Sequence, residues 1–193
     1  MSRFPEQIES ARLRLRLPRQ DDVPALNAAI VASHPELTVW MDWAVKPRTL
    51  DETADFVSRS KKSWQEETEL NVLMVEQGSG EIVGATGYPR LNWDVPGFEI
   101  GYWVRSDRVG RGYASESTWV LARHAFDVLQ ANRVELRMDN RNERSWSVAE
   151  RLGFSLEATL RNEVRVADGS LRDTRIYGAI QLAELKAPDL NQR

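Results

Sequence analysis

Arg108-Val109-Gly110-Arg111-Gly112-Tyr113-Ala114 has the residue types to hold a phosphate or pyrophosphate. Gly110 and Gly112 let the backbone approach a ligand closely. The unpaired N–H groups and positive end of a helix opening here form an anion site, to which Arg108 and Arg111 add charge. The same residues also read as a plain glycine turn. The spacing is not a dinucleotide fingerprint, and no Lys-Ser/Thr pair follows at P-loop distance. A second constellation is Asn142-Glu143-Arg144-Ser145-Trp146-Ser147-Val148-Ala149-Glu150-Arg151-Leu152-Gly153-Phe154. Asn142 can cap a helix whose one face carries Asn142, Ser145, Ala149 and Leu152. On spacing alone Ser145 is equally a solvated first-turn serine and a candidate for chemistry. The chain has no cysteine, which excludes disulfides, thiolate metal sites and a cysteine nucleophile, and His34 and His124 alone cannot build a histidine-rich metal site.

The elements that must position these residues are legible as a series. Arg12-Leu13-Arg14-Leu15-Arg16-Leu17 alternates as a half-buried strand ended by Pro18. Asp21 and Asp22 before Pro24 suit a helix start, and the helix runs to about Ala32. Residues 34–48 read as irregular. Thr49 and Glu52 form a capping box for a second helix ending near Glu67. Residues 71–76 and 81–88 flank Gly78-Ser79-Gly80 as a hairpin, and residues 98–104 form a third strand. A long helix from about Gly112 to Leu129 presents Ala114, Thr118, Leu121, Ala125 and Val128 on one face. A strand follows at 134–138, then a short helix over 143–152 with Gly153 as its stop. Two strands, about 156–166 and 172–180, flank the hairpin signal Asp168-Gly169. The order β-α-α-β-β-β-α-β-α-β-β predicts an α/β fold with a mixed sheet.

At 193 residues the chain is the size of one domain, 1–193, able to bury about 70% of its unfolded surface. With 41% hydrophobic and 28% charged residues it is not of disordered composition. A net charge of −3 argues against a broad basic face for nucleic acid. No apolar run approaches the ~20 residues of a membrane span, and Met1 to Glu6 carries no signal-peptide core. The expectation is a cytoplasmic protein.

The stretch 12–180 resembles the GNAT family of acetyl-CoA-dependent N-acetyltransferases, and within it the RimJ/RimL type that acetylates ribosomal-protein N-termini. The family's phosphate loop reads Gln/Arg-x-x-Gly-x-Gly/Ala. Here Val109-Gly110-Arg111-Gly112-Tyr113-Ala114 matches at Gly112 and Ala114 and departs at Val109. Further matches are Glu99-Ile100-Gly101-Tyr102-Trp103-Val104, Asn142-Glu143-Arg144-Ser145, Arg151-Leu152-Gly153-Phe154 and Leu156-Glu157-Ala158-Thr159-Leu160-Arg161, all in family order. The resemblance implies a single α/β GNAT core over 12–180. Its sheet is mixed but mostly antiparallel, of about seven strands, with helices on both faces.

The implied chemistry is direct acetyl transfer from acetyl-CoA to a neutral amine, without a metal. The amine must lose a proton and the thiolate must gain one or be stabilised. The resemblance places Glu99 as the base and Ser145 as the thiolate's partner, since the family's tyrosine position holds Ala149. Backbone N–H groups near Val104 would stabilise the tetrahedral intermediate. Asn142 would hold the pantetheine arm, and Gly110, Arg111, Gly112, Tyr113, Ala114 and Ser115, with Val109, would line the phosphates. Trp40, Met41, Trp43 and Trp93 are candidates for the amine cleft, and Asp42, Asp94 and Glu163 could attract a cationic amine. The acceptor is expected to be a peptide or protein N-terminal α-amine. Alternatives are a polyamine, amino acid or antibiotic amine, or a non-catalytic CoA-binding module. Exposed strand edges in this fold can pair between subunits, so a homodimer is compatible with it.

Overall fold

A strict alternation opens the first long pairing of the sheet. In the computed structural model, which describes residues 3–166 and 169–190, strand β1 (Gln7–Glu9) pairs with β2 (Leu13–Arg16). Leu13 and Leu15 are buried on one face of β2 while Arg14 is exposed on the other. The remaining strands are β3 (Leu70–Glu76), β4 (Ile82–Asn92), β5 (Gly97–Val104), β6 (Arg133–Asp139), β7 (Ser155–Arg165) and β8 (Leu171–Ala179). They form one eight-stranded sheet in the order β1-β2-β3-β4-β5-β6-β8-β7. Every neighbouring pair is antiparallel except β5 with β6. The strand beyond the expected seven is β1, whose three residues are too few to show a period. β4 also continues past Pro89 to Asn92, through a register shift between Gly87 and Arg90. Asp168 of the expected last hairpin turn lies outside the described residues.

Helices α1 (Val23–Ala32), α2 (His34–Trp40) and α3 (Leu50–Glu66) precede β3, α4 (Tyr113–Asp127) joins β5 to β6, and α5 (Glu143–Leu152) follows β6. The capping box at α3 forms as expected. Thr49 Oγ1 accepts from the Glu52 N–H at 3.2 Å, and Glu52 Oε2 accepts from the Thr49 N–H at 2.9 Å. Residues 34–48, expected to be irregular, instead hold α2 and a 3-10 turn, Asp42–Ala44. Pro35 sits in the first turn of α2, where its missing N–H has no helical partner to lose. Val128 is also corrected: α4 ends at Asp127, Val128 is exposed, and Leu129 turns inward instead.

The core has two parts, one on each sheet face. Leu13, Met74, Tyr88, Phe98 and Leu136 of the strands pack with Leu121 and Ala125 of α4 and Ala149 of α5. Leu73 and Val75 of β3 pack with Leu26 and Ile30 of α1, Leu37 of α2 and Val57 of α3. Leu73 and Met74 thus point to opposite faces, as strand alternation requires.

One polar pair is sealed inside the first part. Tyr88 Oη donates to Leu121 O at 2.7 Å and lies 3.3 Å from His124 Nδ1. With the Tyr88 proton engaged, Nδ1–H of His124 is the donor in that second contact. Burial lowers the His124 pKa from the ordinary 6.5 to about 4. Between those values the unfolded chain binds the proton and the folded chain does not. Folding stability is therefore fully present above about pH 6.5 and is lost as pH falls toward 4. The expected loss is on the order of 2 kcal/mol after discounting for partial screening, read by urea unfolding at stepped pH. His124→Gln should flatten that slope.

Candidate active site

Among the described residues the β5–β6 pair is the only parallel one, and it is short. Its register covers Gly97↔Arg133, Phe98↔Val134 and Glu99↔Glu135. Beyond Glu99, β5 stays with β4 as far as Val104, while β6 stays with β8 as far as Asp139. The two strands splay and leave a gap in the middle of the sheet. The Arg105 N–H donates to Val83 O on β4. By strand alternation the Val104 N–H points the other way, into the gap.

Two cavities meet through this gap. One, of about 1020 Å³, lies toward α4 and α5. It is lined by Val104, Val109, Gly110, Arg111, Gly112, Tyr113, Ala114, Ser115 and Asn142. The structure therefore brings together every residue expected to face the cofactor. The other, of about 600 Å³, lies toward α1 and α3 and includes Trp40, Trp43, Glu99, Trp103 and Glu163. Trp40, Met41, Tyr102, Trp103, Asn142 and Ser145 line both.

At the first cavity, Gly110 and Gly112 adopt φ of 78° and 79°, the left-handed region that glycine takes without strain. Gly112 is the residue before α4, so the first N–H groups of the helix have no partner within it. A side chain at Gly110 would meet nothing within 4 Å, so the space over the loop is open to a ligand. Arg108 is ion-paired with Glu81. The Tyr113 hydroxyl donates to Glu76 on β3 and lowers that carboxyl's pKa, so Tyr113 presents its backbone rather than its hydroxyl to the loop. Beneath the loop, Glu116 is buried and accepts from Ser10 Oγ, Arg12 N–H and Arg12 Nε at 2.7, 2.8 and 2.7 Å. That bracing ties the start of β2 to the first turn of α4.

At the junction, Asn142 caps α5 by accepting from the Ser145 N–H at 3.1 Å. Ser145 Oγ lies 3.0 Å from Tyr102 Oη, a residue of β5. Burial pushes the Tyr102 phenol up to about 12, against smaller lowering by Ser145 and Arg151. It therefore stays protonated at neutral pH, within hydrogen-bond reach of the Ser145 hydroxyl and carbonyl. Ala149 is fully buried in the core and lines neither cavity. Tyr102, read at first only as part of a sequence match, is the phenol that reaches the junction. Its signal was its place three residues after Glu99, on the strand that borders the gap.

Glu99 stands at the point where β5 and β6 part. Its side chain is 14% exposed and lies 3.4 Å from Arg90 Nη1, within ion-pair reach but without hydrogen-bond geometry. Its Oε2 is buried with no hydrogen-bond partner. Burial raises its pKa, with Arg90 opposing. A carboxylate so placed is a proton acceptor in want of a proton.

Trp40, Met41 and Trp43 line the second cavity, and the Trp43 ring lies 6.4 Å from that of Trp103. Trp93 does not join them. Its indole N–H donates to Glu67 O at 3.0 Å and its ring packs on Phe4 and Phe98 under the Arg3 guanidinium, closing the core at the end of β4. Asp94 is exposed and lines neither cavity. Asp42 is paired with Arg172 at 3.4 Å, and Glu163 with Arg137. Arg48, Phe56 and Arg172 also line the second cavity. No local pattern singled them out, because they come from three separate segments.

The sheet is split between parallel strands, with a glycine loop at a helix start on one side and an aromatic cavity on the other. The sequence profile described as Acetyltransferase (GNAT) domain matches residues 12–155, and the chain belongs to that family. It is accordingly an acyltransferase that uses acetyl-CoA. It is 25% identical over 177 residues to the uncharacterized N-acetyltransferase p20 of Bacillus licheniformis, covering 91% of this chain and 97% of p20. Among solved structures it is similar to RimL, a ribosomal L7/L12 alpha-N-protein acetyltransferase in complex with coenzyme A. The TM-score is 0.85 at 25% identity, over 92% of this chain and 99% of that one. It shares its fold with the microcin C7 self-immunity acetyltransferase MccE, in complex with acetyl-CoA and AMP. There the TM-score is 0.85 at 21% identity, over 93% and 98% of the two chains. No helix among the described residues is long and apolar enough to cross a membrane.

Proposed function

We propose that the chain transfers acetyl from acetyl-CoA to the α-amine of a peptide or protein N-terminus in the cytoplasm. The observation that carries this reading is the shared wall of the two cavities at Tyr102, Asn142 and Ser145. It lets a donor held by the glycine loop face an acceptor held among Trp40, Trp43 and Trp103. The likeness to RimL over nearly the whole of both chains supports a polypeptide amine as the acceptor.

Acetyl-CoA supplies the activated acyl group. The unpaired N–H groups at the start of α4, with exposed Arg111, bind its phosphates. The Val104 N–H, aimed into the gap, meets the oxygen on which negative charge develops. Glu99 takes the proton from the incoming ammonium, directly or through one water. Ser145, backed by the neutral Tyr102 phenol, gives a proton to the departing sulfur.

Calorimetry on cofactor-stripped protein tests the donor half of the reading. Acetyl-CoA should bind at micromolar concentration and NADH should not. Gly112→Val places a branched residue at φ 79° in the cradle, and affinity for acetyl-CoA should fall about 10- to 100-fold. Unchanged affinity in a folded variant would show that the loop does not hold the cofactor. CoA release with Ser- and Ala-initiated peptides, compared with polyamines and free amino acids, tests the acceptor half. Turnover of the small amines alone would replace the peptide reading.

A further inference from the structure

We propose that the acceptor carries a carboxylate within a residue or two of its reactive amine, and that Arg48 and Arg172 hold it. The proposal rests on the acetyltransferase reading and names its acceptor class. Both residues line the second cavity, and both guanidiniums contact the same 3-10 turn, Asp42–Ala44, through Trp43 and Asp42 respectively. Arg48 lies over the Trp43 ring at 5.0 Å and the Phe56 ring at 5.2 Å. It is half-buried, and burial and the neighbouring Arg59 lower its pKa, with Glu52 opposing. Glu52 is itself ion-paired with Lys46, and among the described residues no carboxylate lies within ion-pair distance of Arg48. Arg172 is 13% exposed, and its Nε is buried with no hydrogen-bond partner. Its one ion-pair partner, Asp42 at 3.4 Å, is 69% exposed on the surface turn. An arginine kept inside a cavity with a donor unmet is set to receive an acceptor oxygen.

The other charges of the cavity are already matched. Glu163 pairs with Arg137 and Asp139 with Arg141. What is left over is the positive charge of Arg48 and Arg172, and Glu99, whose Oε2 has no hydrogen-bond partner although Arg90 lies 3.4 Å away. A molecule with an ammonium and a nearby carboxylate complements both. A polyamine would place a second cation against Arg48 and Arg172, which is repulsive in so poorly solvated a site.

Two sources can supply the carboxylate: an acidic side chain near the N-terminus of a peptide, or the terminal carboxylate of a very short one. The test uses Ser-Asp-Ala-amide, Ser-Asn-Ala-amide and Ser-Lys-Ala-amide for the first source, and Ser-Ala as free acid and as amide for the second. Binding is read from the fluorescence of the cavity tryptophans in the CoA-loaded protein, and turnover from CoA release. Ser-Asp-Ala-amide should bind about 10- to 100-fold more tightly than its Asn counterpart, or Ser-Ala free acid more tightly than its amide, the preferred pair naming the source. Arg48→Gln and Arg172→Gln should each erase that preference and leave acetyl-CoA affinity unchanged. Equal binding within both pairs, or tightest binding of the Lys peptide, overturns the proposal. So does a preference that survives in both folded variants. Absence of turnover with every peptide would instead overturn the peptide-acetyltransferase reading, while the fluorescence titration still decides the role of the arginines.

Discussion

Glu99→Gln is expected to lower kcat by about 100- to 1,000-fold with acetyl-CoA affinity intact. The substitution keeps the shape of the side chain and removes only its ability to take a proton. Glu99 lines the second cavity and not the first, so the cofactor side is untouched. The pH profile carries a second signature. Burial raises the Glu99 pKa, so the acid limb of kcat/KM lies above the range of an ordinary glutamate, and activity falls as pH drops through it. Arg90 is the largest opposing influence on that pKa. Arg90→Ala should therefore move the limb to still higher pH, while Glu99→Gln should abolish it and leave only the limb set by the amine. A Glu99→Gln enzyme with wild-type kcat would assign the proton to another group.

Ser145→Ala is expected to lower kcat by about 10- to 100-fold, again with little change in acetyl-CoA affinity. The backbone of the junction should survive the change. Asn142 still caps α5 through the N–H of residue 145, and Tyr102 Oη keeps its 3.2 Å contact with the carbonyl of that residue. The loss then reports the hydroxyl alone. If Tyr102 acts through Ser145, Tyr102→Phe in the Ser145→Ala background should cost less than in the wild type, because members of one relay are not additive. A loss confined to acetyl-CoA affinity would make Ser145 a binding residue.

The features legible in the sequence are those whose cause is local. Gly110 and Gly112 announced a glycine loop, Thr49 and Glu52 a helix start, Gly153 a helix stop, and the Leu13–Leu15 alternation a strand. Each is decided by residues within one turn or one pleat of itself. The misses share the opposite property. Three-residue β1 exists because β2 offers it an edge. α2 forms in a stretch whose only helix signal was Pro35. Trp93 was a reasonable cleft residue until Phe4, 89 positions away, was seen to pack against its ring. Arg48 and Arg172 become neighbours of one turn only once α3 and β8 are in place. The Ser145–Tyr102 contact spans 43 positions and no spacing rule reaches it. Most candidate residues on the donor side came from one continuous stretch, 109–115, which is why they fell together on one cavity; Val104 and Asn142 joined them from β5 and the start of α5. The acceptor side is assembled from six or more segments, and sequence could name only part of it.

The separation of β5 from β6 bears on traffic as well as on chemistry. The larger cavity is lined by α4 and α5 and reaches α2, and the smaller is lined by α1, the end of α2 and α3. In the proposed reaction each reactant would have its own doorway, the two meeting at the shared wall. Neither must depart before the other arrives, so no acyl group needs to be parked on the protein between visits. An acceptor far larger than the cavity, such as the end of a folded protein, can dock from outside without disturbing the nucleotide tail of the donor.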